Sequence, residues 1–299
     1  MANTFTAVDL AQLPFPDAVE VPDFETILAQ MLTDLQARDS AFTALVESDP
    51  AFKVLEVAAY RELLVRQRVN EAIKAVCLAY AIGDDLEQIG ARYNVPRLLL
   101  DAGDPDTIPP IPPTYEPDAD YRRRIQLSFE GFSTAGPVGA YIFHSLAAAA
   151  DVLDAAAKSP EPGTVLVTVL SRTGDGVADA ALLAAVEAAL LAEDVRPLTD
   201  TVVVQSAAIV EYTVAAELAL YSGPDAEVVL QSAQAALDAY TADMHRIGRD
   251  VTLSGIYAAL HQPGVQNVVL ASPLADVVIS DEQASHCTGT TLTTVASDE

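Results

Sequence analysis

The N-terminal part of the chain has the apolar periodicity of helices. Apolar residues recur at spacings of three, four and seven from Phe24 to Leu45, which is typical of an amphipathic helix. Asp49-Pro50 ends this helix and begins another, because proline is tolerated in the first helical turn. The second pattern continues from about Ala51 to Tyr80. We therefore predict an α-helical N-terminal region over residues 1–100.

The second predicted helix is apolar on more than one face. One stripe contains Leu55, Ala59, Leu63, Ile73, Cys77 and Tyr80, and the other faces carry Val54, Val57, Leu64, Val65 and Val76. A helix that is apolar on several faces must be covered on several faces. Its charged residues could form a solvated face or pair with another chain. We predict that the two helices enter a bundle with a partner through Phe24, Leu28, Met31, Leu35, Leu55, Leu63 and Ile73.

The helical region is followed by a segment of different composition. Residues 101–120 contain six prolines and six acidic residues, which is typical of a linker or an extended arm. This segment is the predicted domain boundary.

Two sets of short elements follow the linker. The first set, in residues 121–206, consists of helix Pro137 to Ala150, strands Val152 to Ala156 and Thr164 to Leu170, helix Ala178 to Glu193 and strand Thr201 to Gln205. The second set, in residues 207–280, consists of strand Ile209 to Tyr221, helices Asp225 to Asp243 and Leu253 to Leu260, and strands Val265 to Ala271 and Asp276 to Ile279. In both sets one helix leads directly into a strand. The predicted fold class is α+β, with two small related domains of split βαβ type.

The long strand of the second domain is the predicted contact between two copies. Val210, Tyr212, Val214 and Leu218 alternate along it and would share one face. A domain of this size buries limited apolar area and would gain from a partner. We predict self-pairing through these four residues. Residues 281–299 are rich in Ser, Thr and Asp, and we expect a flexible tail there.

Composition narrows the possible functions. The 299 residues include 16 Lys and Arg against 43 Asp and Glu, for a net charge of −27, and 51% of residues are hydrophobic. Such a chain can bury a core, but its charge repels phosphate backbones and anionic lipids. We expect no direct contact with nucleic acid or membrane. Cys77 and Cys287 indicate no disulfide framework, and the absence of a signal sequence or long apolar run predicts assembly in a cytoplasm.

Three patterns resemble chemical sites, and each lacks a required feature. Gly174-Asp175-Gly176 follows a strand and precedes a helix, as a phosphate-binding loop would, but Asp179 replaces the small residue expected next. The four histidines do not have metal-ligand spacing. The aspartates of residues 101–120 lack the glycine and terminal glutamate of a calcium loop. We predict no catalytic residue, cofactor or metal, and local ion pairing for Arg122-Arg123-Arg124.

Several sequence blocks, taken in order, carry a family resemblance. They are Asp49-Pro50, Tyr60-Arg61-Glu62, Arg66-Gln67-Arg68-Val69-Asn70, Gly83-Asp84-Asp85-Leu86, Tyr121-Arg122-Arg123-Arg124-Ile125, Val195-Arg196-Pro197-Leu198-Thr199-Asp200, and Gly248-Arg249-Asp250-Val251 with Pro263-Gly264-Val265. Together they resemble the J-type baseplate wedge proteins of contractile-tailed bacteriophages and R-type tailocins. The resemblance covers roughly residues 45 to 280, and the succession of blocks is more specific than any single one.

The resemblance implies a structural role rather than an enzymatic one. Two copies of such a protein join a smaller tail protein to form a wedge, and the wedges encircle the hub in a ring that couples receptor contact to sheath contraction. The N-terminal helices would enter the partner bundle and the C-terminal domains would pair. The expected location is the tail baseplate of a virion or tailocin, among other baseplate and hub proteins.

Two alternatives stay open at this point. One is an adaptor subunit of a related contractile injection apparatus, and the other is an enzyme such as a hydrolase, which would need a cleft with convergent titratable residues. The charge of −27 departs from the family pattern. Either basic neighbours or a saline cytoplasm would account for it.

Overall fold

The computed structural model contains two compact units. It describes residues 8, 10, 13–16, 18, 20–42, 45–133, 136–193, 195–197, 199–223 and 225–296. The first unit ends at Pro96 and the second begins at Arg97. This boundary lies a few residues before the predicted one, at the start of the proline-rich segment.

The first unit is helical, as the periodicity predicts. Its helices are α1 (Phe24–Arg38), α2 (Pro50–Ala75) and α3 (Gly83–Arg92), and a short 3-10 turn (Ser40–Phe42) follows α1. The side chain of Asp23 caps α1 by accepting the backbone N–H of Thr26 at 2.8 Å. Asp49 caps α2 by accepting the N–H of Ala51 at 2.8 Å, with Pro50 in the first turn. These caps satisfy N–H groups that have no partner inside the helix.

The core of the first unit lies between α1 and α2. Ile27, Leu28 and Ala59 are buried there, and Phe24, Met31, Leu32, Phe52, Leu55 and Leu63 pack around them. Described residues of the N-terminal segment contact α2 and the residues after it. Asn70 accepts the N–H of Glu20 at 3.0 Å and donates to the Glu20 carbonyl at 2.7 Å. Further along, the Phe15 ring stacks on Tyr80 with centroids 4.8 Å apart.

The second unit opens with a hairpin arm instead of an unstructured linker. Strands β1 (Leu99–Asp101) and β2 (Thr114–Tyr115) pair antiparallel, and helix α4 (Asp118–Leu127) follows directly. Between the strands, Asp104 and Ile111 form a further antiparallel bridge. The prolines prevent a longer ladder because each lacks the N–H that a ladder requires. Of the two alternatives for residues 101–120, a linker or an extended arm, the hairpin has the form of an arm.

The central domain has one mixed sheet with helices packed on it. Its elements are α5 (Val138–Ala148), β3 (Val152–Glu161), β4 (Thr164–Ser171), α6 (Ala180–Leu190) and β5 (Thr201–Ser206). The strand order is β3-β4-β5, antiparallel between the first pair and parallel between the second. Its core includes Val167 and Val169 of β4, together with Val186 and Leu190 of α6.

The C-terminal domain repeats this pattern of pairing. Its elements are β6 (Ala208–Leu220), α7 (Ala226–Met244), α8 (Leu253–Leu260), β7 (Val265–Ser272) and β8 (Gln283–Ala296). The order is β7-β6-β8, with β7 antiparallel and β8 parallel to the central strand. The mixed helix and sheet content confirms the predicted α+β class. The parallel strands are direct neighbours in both domains, so no strand splits them as the split βαβ expectation required.

Two predictions for the C-terminal end are wrong. Residues 276–279 form no strand; Val277 only bridges Val251. The strand lies instead in residues 283–296, where we expected a flexible tail, while residues 297–299 fall outside the described part. Threonine favours strands because its branched side chain packs well on a pleated surface. The polar composition of this segment therefore does not prevent it from completing a sheet.

Candidate assembly surfaces

Most of the residues predicted to bind a partner pack within the α1–α2 hairpin itself. Leu28 is buried in the hairpin core, and Phe24, Met31, Leu55 and Leu63 pack against that core. Leu35 and Ile73 are half-buried. The packing has a simple cause: α1 is the nearest cover for the apolar stripe of α2.

A different stripe of α2 is exposed to solvent. Val54, Val57, Val65 and Val69 of the helix, and Val76 at its C-cap, are between 51% and 68% exposed. Their spacings of three, eight, four and seven residues place them on one face, since a helix turns about 100° per residue. These include four of the positions whose apolar character predicted that α2 must be covered on several faces. We call these five residues the valine stripe.

The second unit buries one ion pair beside the hairpin arm. Glu116, which follows β2, is 3% exposed and forms an ion pair with Arg124 of α4, which is 4% exposed. Arg124 Nε donates to Glu116 Oε2 at 3.0 Å, and the backbone N–H of Leu98 donates to Glu116 Oε1 at 3.0 Å. Both carboxylate oxygens are therefore hydrogen-bonded, as a buried charge requires. The pair fixes the base of the hairpin arm to α4.

Asp120 connects α4 to both neighbouring domains. Its carboxylate pairs with Arg172 after β4 and with Arg246 after α7, each at 2.8 Å. Burial alone would raise the pKa of Asp120, but the two guanidinium groups outweigh it and hold the pKa below its ordinary value. Arg246 also donates to the carbonyl of Leu153 at 2.6 Å. One carboxylate thus stabilises the contact between three parts of the second unit.

Asp154 of β3 strengthens the same contact. It pairs with Arg123 at 2.8 Å and accepts the backbone N–H of Ile247 at 3.0 Å. Arg123 and Arg124 therefore both form ion pairs nearby, which confirms local pairing for these two members of the basic run. We call Asp120, Asp154, Arg123, Arg172 and Arg246 the domain joint. A small cleft beside it is lined by side chains already engaged with each other.

The residues predicted for self-pairing lie mainly in the C-terminal core. Tyr212, Val214 and Leu218 are buried beneath α7 and α8, and Val210 is half-buried. The long strand alternates as predicted, but its apolar face covers the helices of its own domain. Pairing through these three buried side chains would require opening that core.

Each outer strand of the C-terminal sheet has one edge that pairs with no other strand in the part of the chain that the structure describes. Among the described residues, β7 and β8 each form a ladder only with β6. The first residues of β8 are covered by the segment after α7, where Gly248 N–H donates to the Gln283 carbonyl at 3.0 Å. Residues 283–296 contain no Asp, Glu, Lys or Arg. An edge strand without charges is a favourable place for another chain to add.

The predicted chemical patterns have structural roles in the described residues. Asp175 accepts the N–H of Val177 at 3.1 Å, and Asp179 caps α6 by accepting the N–H of Leu182 at 2.7 Å. Carboxylates thus occupy the position a phosphate would need. His245 and His286 have ring centroids 5.5 Å apart, a tertiary contact that sequence spacing did not indicate. The described residues contain no group of three or more acidic, His or Cys side chains placed to hold a metal ion.

Comparison with known proteins matches the three structural parts in order. The baseplate J-like N-terminal domain matches residues 47–104, the central domain matches residues 133–206, and the C-terminal domain matches residues 212–293. Baseplate protein J of Escherichia phage P2 is 52% identical over 98% of this chain and 99% of its own length. The chain belongs to the baseplate J family.

Membership of the baseplate J family places the chain among the structural proteins of the phage tail baseplate. The valine stripe lies within the J-like N-terminal domain, and β8 lies largely within the C-terminal one. The tip of the hairpin arm falls between the N-terminal and central matches. As a separate observation, none of the described helices combines the length and the apolar character needed to cross a membrane.

Proposed function

We propose that this J-family chain is a non-enzymatic subunit of the baseplate wedge in a contractile tail. It joins a second copy of itself and a smaller tail protein, and the wedges form a ring around the central hub. The ring couples receptor contact to sheath contraction. The observation that carries this proposal is the valine stripe of α2, a regular apolar helix face that α1 leaves exposed.

The stripe has the properties of a surface in a helical bundle. Burying a valine side chain is favourable by about 1.5 kcal/mol or more, so five together supply a substantial driving force. Ala58 and Ala72 lie on the same face and allow a helix to approach closely. The α1–α2 hairpin already provides two packed helices. A partner helix laid along the stripe completes the bundle, as amphipathic helices do when they bind apolar faces.

The test is co-assembly of the full-length chain with the smaller tail protein. The substitutions Val57→Asp and Val65→Asp place two carboxylates in the proposed bundle. In the free chain both side chains are exposed to solvent, so the new charges stay hydrated there. We expect the double variant to lose co-purification with the smaller protein. The measurement is the copy ratio in the purified complex, by native mass spectrometry.

A matched control uses the same helix and the same new charge. Gln67 is exposed on a different face of α2, so Gln67→Asp adds a carboxylate away from the stripe. This variant should assemble at the wild-type ratio, and circular dichroism should show equal helix content in all three proteins. Wild-type assembly by the Val57→Asp, Val65→Asp variant would exclude the stripe as the bundle surface.

Pairing of two C-terminal domains is part of the proposal, with the edge of β8 as its surface. Two copies with a net charge of −27 each repel one another across most of their surface. The uncharged edge lets the backbones approach without opposing carboxylates. A strand added at this edge then forms hydrogen bonds with the backbone N–H and C=O groups of β8 that face away from β6. The predicted pairing function is retained, and its position moves from the core face of β6 to the edge.

This second contact has its own test. Thr293 of β8 and Thr213 of β6 are both exposed, but only the former lies on an edge strand. Lysine on an edge strand discourages pairing. We expect Thr293→Lys to reduce the concentration-dependent mass of the full-length chain in light scattering, while Thr213→Lys does not. Equal self-association by the two variants would contradict an edge contact.

A further inference from the structure

The hairpin arm that opens the second unit is exposed yet held in one conformation. Residues 104–115 are exposed except for Thr107, so no core of the chain holds them in place. The arm base is fixed instead by the buried Glu116–Arg124 pair and by Arg97, which donates to Asp118 at 2.7 Å. A long exposed segment with such a firm base is typical of functional loops.

Hydrogen bonds within the arm order its tip. Asp104 and Ile111 exchange two backbone bonds of 2.9 Å each. Thr107 Oγ1 lies 2.9 Å from the Asp104 carbonyl and 3.1 Å from the Pro109 carbonyl, and it also accepts the N–H of Ile111 at 3.2 Å. A Cβ at Gly103 would clash with the Ile111 carbonyl. The close approach of the two sides of the hairpin at this point therefore requires glycine. Prolines reduce the remaining freedom of the tip.

This ordered tip presents one large apolar side chain to solvent. Ile108 is 99% exposed, and Ile111 behind it is 53% exposed. Ordering a segment before it binds lowers the entropy cost of binding. An isoleucine on a preordered tip is therefore well suited to fill a pocket, as the central anchor of a contact does.

The charges around the tip decide the kind of partner. Asp101, Asp104 and Asp106 precede Ile108 in the same arm, and no Lys or Arg occurs between residues 98 and 121. A second copy of this chain would bring a further net charge of −27 toward these carboxylates. A protein with basic residues around an apolar pocket would instead gain attraction from all three.

We propose that the hairpin arm docks through Ile108 into an apolar pocket on a different baseplate protein, and that Lys or Arg side chains rim this pocket. This inference rests on the proposed baseplate function and names a contact beyond the two already assigned. The tip lies outside the stretches that the family models match, between residues 104 and 133. It is a candidate determinant of specificity among baseplates.

The experiment places a photo-crosslinking amino acid at position 108 of the full-length chain in assembled tail particles. Ile108→p-benzoylphenylalanine should give a crosslink to a protein other than this chain, at a peptide flanked by Lys or Arg. A crosslink to another copy of this chain overturns the proposal. So does the absence of a crosslink in particles that contain the variant chain.

Two comparisons separate this contact from the baseplate role as a whole. If the unmodified chain is absent from purified tails, the proposed function fails; if it is present without a position-108 crosslink, only the arm contact fails. Leu274 is also highly exposed, and the same photo-reactive residue there is the control for nonspecific crosslinking.

Substitutions in the arm give a second readout. Ile108→Asp should lower particle yield about tenfold. Asp104→Asn with Asp106→Asn should reduce the salt dependence of assembly because both charges are lost, while asparagine keeps the turn-forming acceptor oxygen. An unchanged yield in Ile108→Asp would also count against the arm.

Discussion

The two units of the chain differ in where they place one row of apolar side chains and one ion pair. The helical unit leaves five valines of α2 in solvent, while its ion pairs, such as Arg68–Glu71 at 3.3 Å, are exposed. The second unit packs apolar residues into two cores and buries the Glu116–Arg124 pair, although Ile108 and the Arg249–Asp243 pair are exposed on its surface. Exposed apolar area gains free energy only on assembly, whereas buried pairs act within one chain. The first unit therefore offers a regular apolar helix face for assembly, whereas the second combines buried ion pairs that hold its domains together with smaller contact sites at the hairpin arm and the edge of β8.

The sharpest way to break this contrast is to remove one member of the buried pair. Arg124→Met leaves the Glu116 carboxylate without its cation, and loss of one partner of a buried pair costs about 3–5 kcal/mol. We expect a large fall in the stability of the second unit, measured by calorimetry of the full-length chain. The helical unit should unfold as before.

A second substitution checks the cause of that fall. Adding Glu116→Gln to Arg124→Met removes the uncompensated charge and keeps an acceptor oxygen for the Leu98 N–H. The double variant should regain much of the lost stability. If it is as unstable as Arg124→Met alone, the cost arises from packing of the arginine and not from the buried charge.

The domain joint gives a smaller effect. Asp120→Asn weakens the ion pairs with Arg172 and Arg246 and should cost about 1.5–3 kcal/mol, as hydrogen bonds to charged groups do. The control is Asp243→Asn, which weakens the exposed Arg249–Asp243 pair and should change stability by about 0–1 kcal/mol. Hydrogen exchange in β3 and in the segment after α7 should rise only in Asp120→Asn. Equal exchange in the two variants would show that the joint does not hold these domains together.

The same carboxylate makes the joint sensitive to acid. The pKa of Asp120 is lower in the folded chain than its ordinary value of 3.8. The unfolded chain therefore takes up the proton first as the pH falls, and the stabilisation by Asp120 is present above pH 3.8 and lost as the pH falls through the folded pKa. The difference in stability between wild type and Asp120→Asn should shrink over this range. A difference that stays constant into that acid range would contradict the role of this charge.

The sequence predicts local elements well and tertiary partners poorly, and particular residues show why. Helix α8 has the predicted ends, because a threonine cap and apolar spacing are local signals. The apolar face of β6 was also predictable, but whether its own helices or a second copy covers it depends on α7 and α8. Likewise, Asp120 reaches Arg246 across 126 residues, a distance that no spacing rule covers. Strand β8 was missed because its threonines read equally as a polar tail.

The mildest prediction tests the valine stripe without adding charge. Val65→Ser removes apolar surface that is already 62% exposed, so the free energy of unfolding of the isolated chain should change by less than about 0.5 kcal/mol. Leu63→Ser, two positions earlier and packed against α1, should cost the isolated chain clearly more. For binding, Val65→Ser should be the more damaging of the two substitutions. It should weaken binding of the smaller tail protein about three- to tenfold, since a lost apolar contact of about 1 kcal/mol has this effect. Thermal unfolding of the free chain and titration calorimetry of the complex measure the two effects separately. A Val65→Ser variant that is destabilised alone but binds normally would mean that the stripe serves the fold of the helical unit, and the contrast between the two units would disappear.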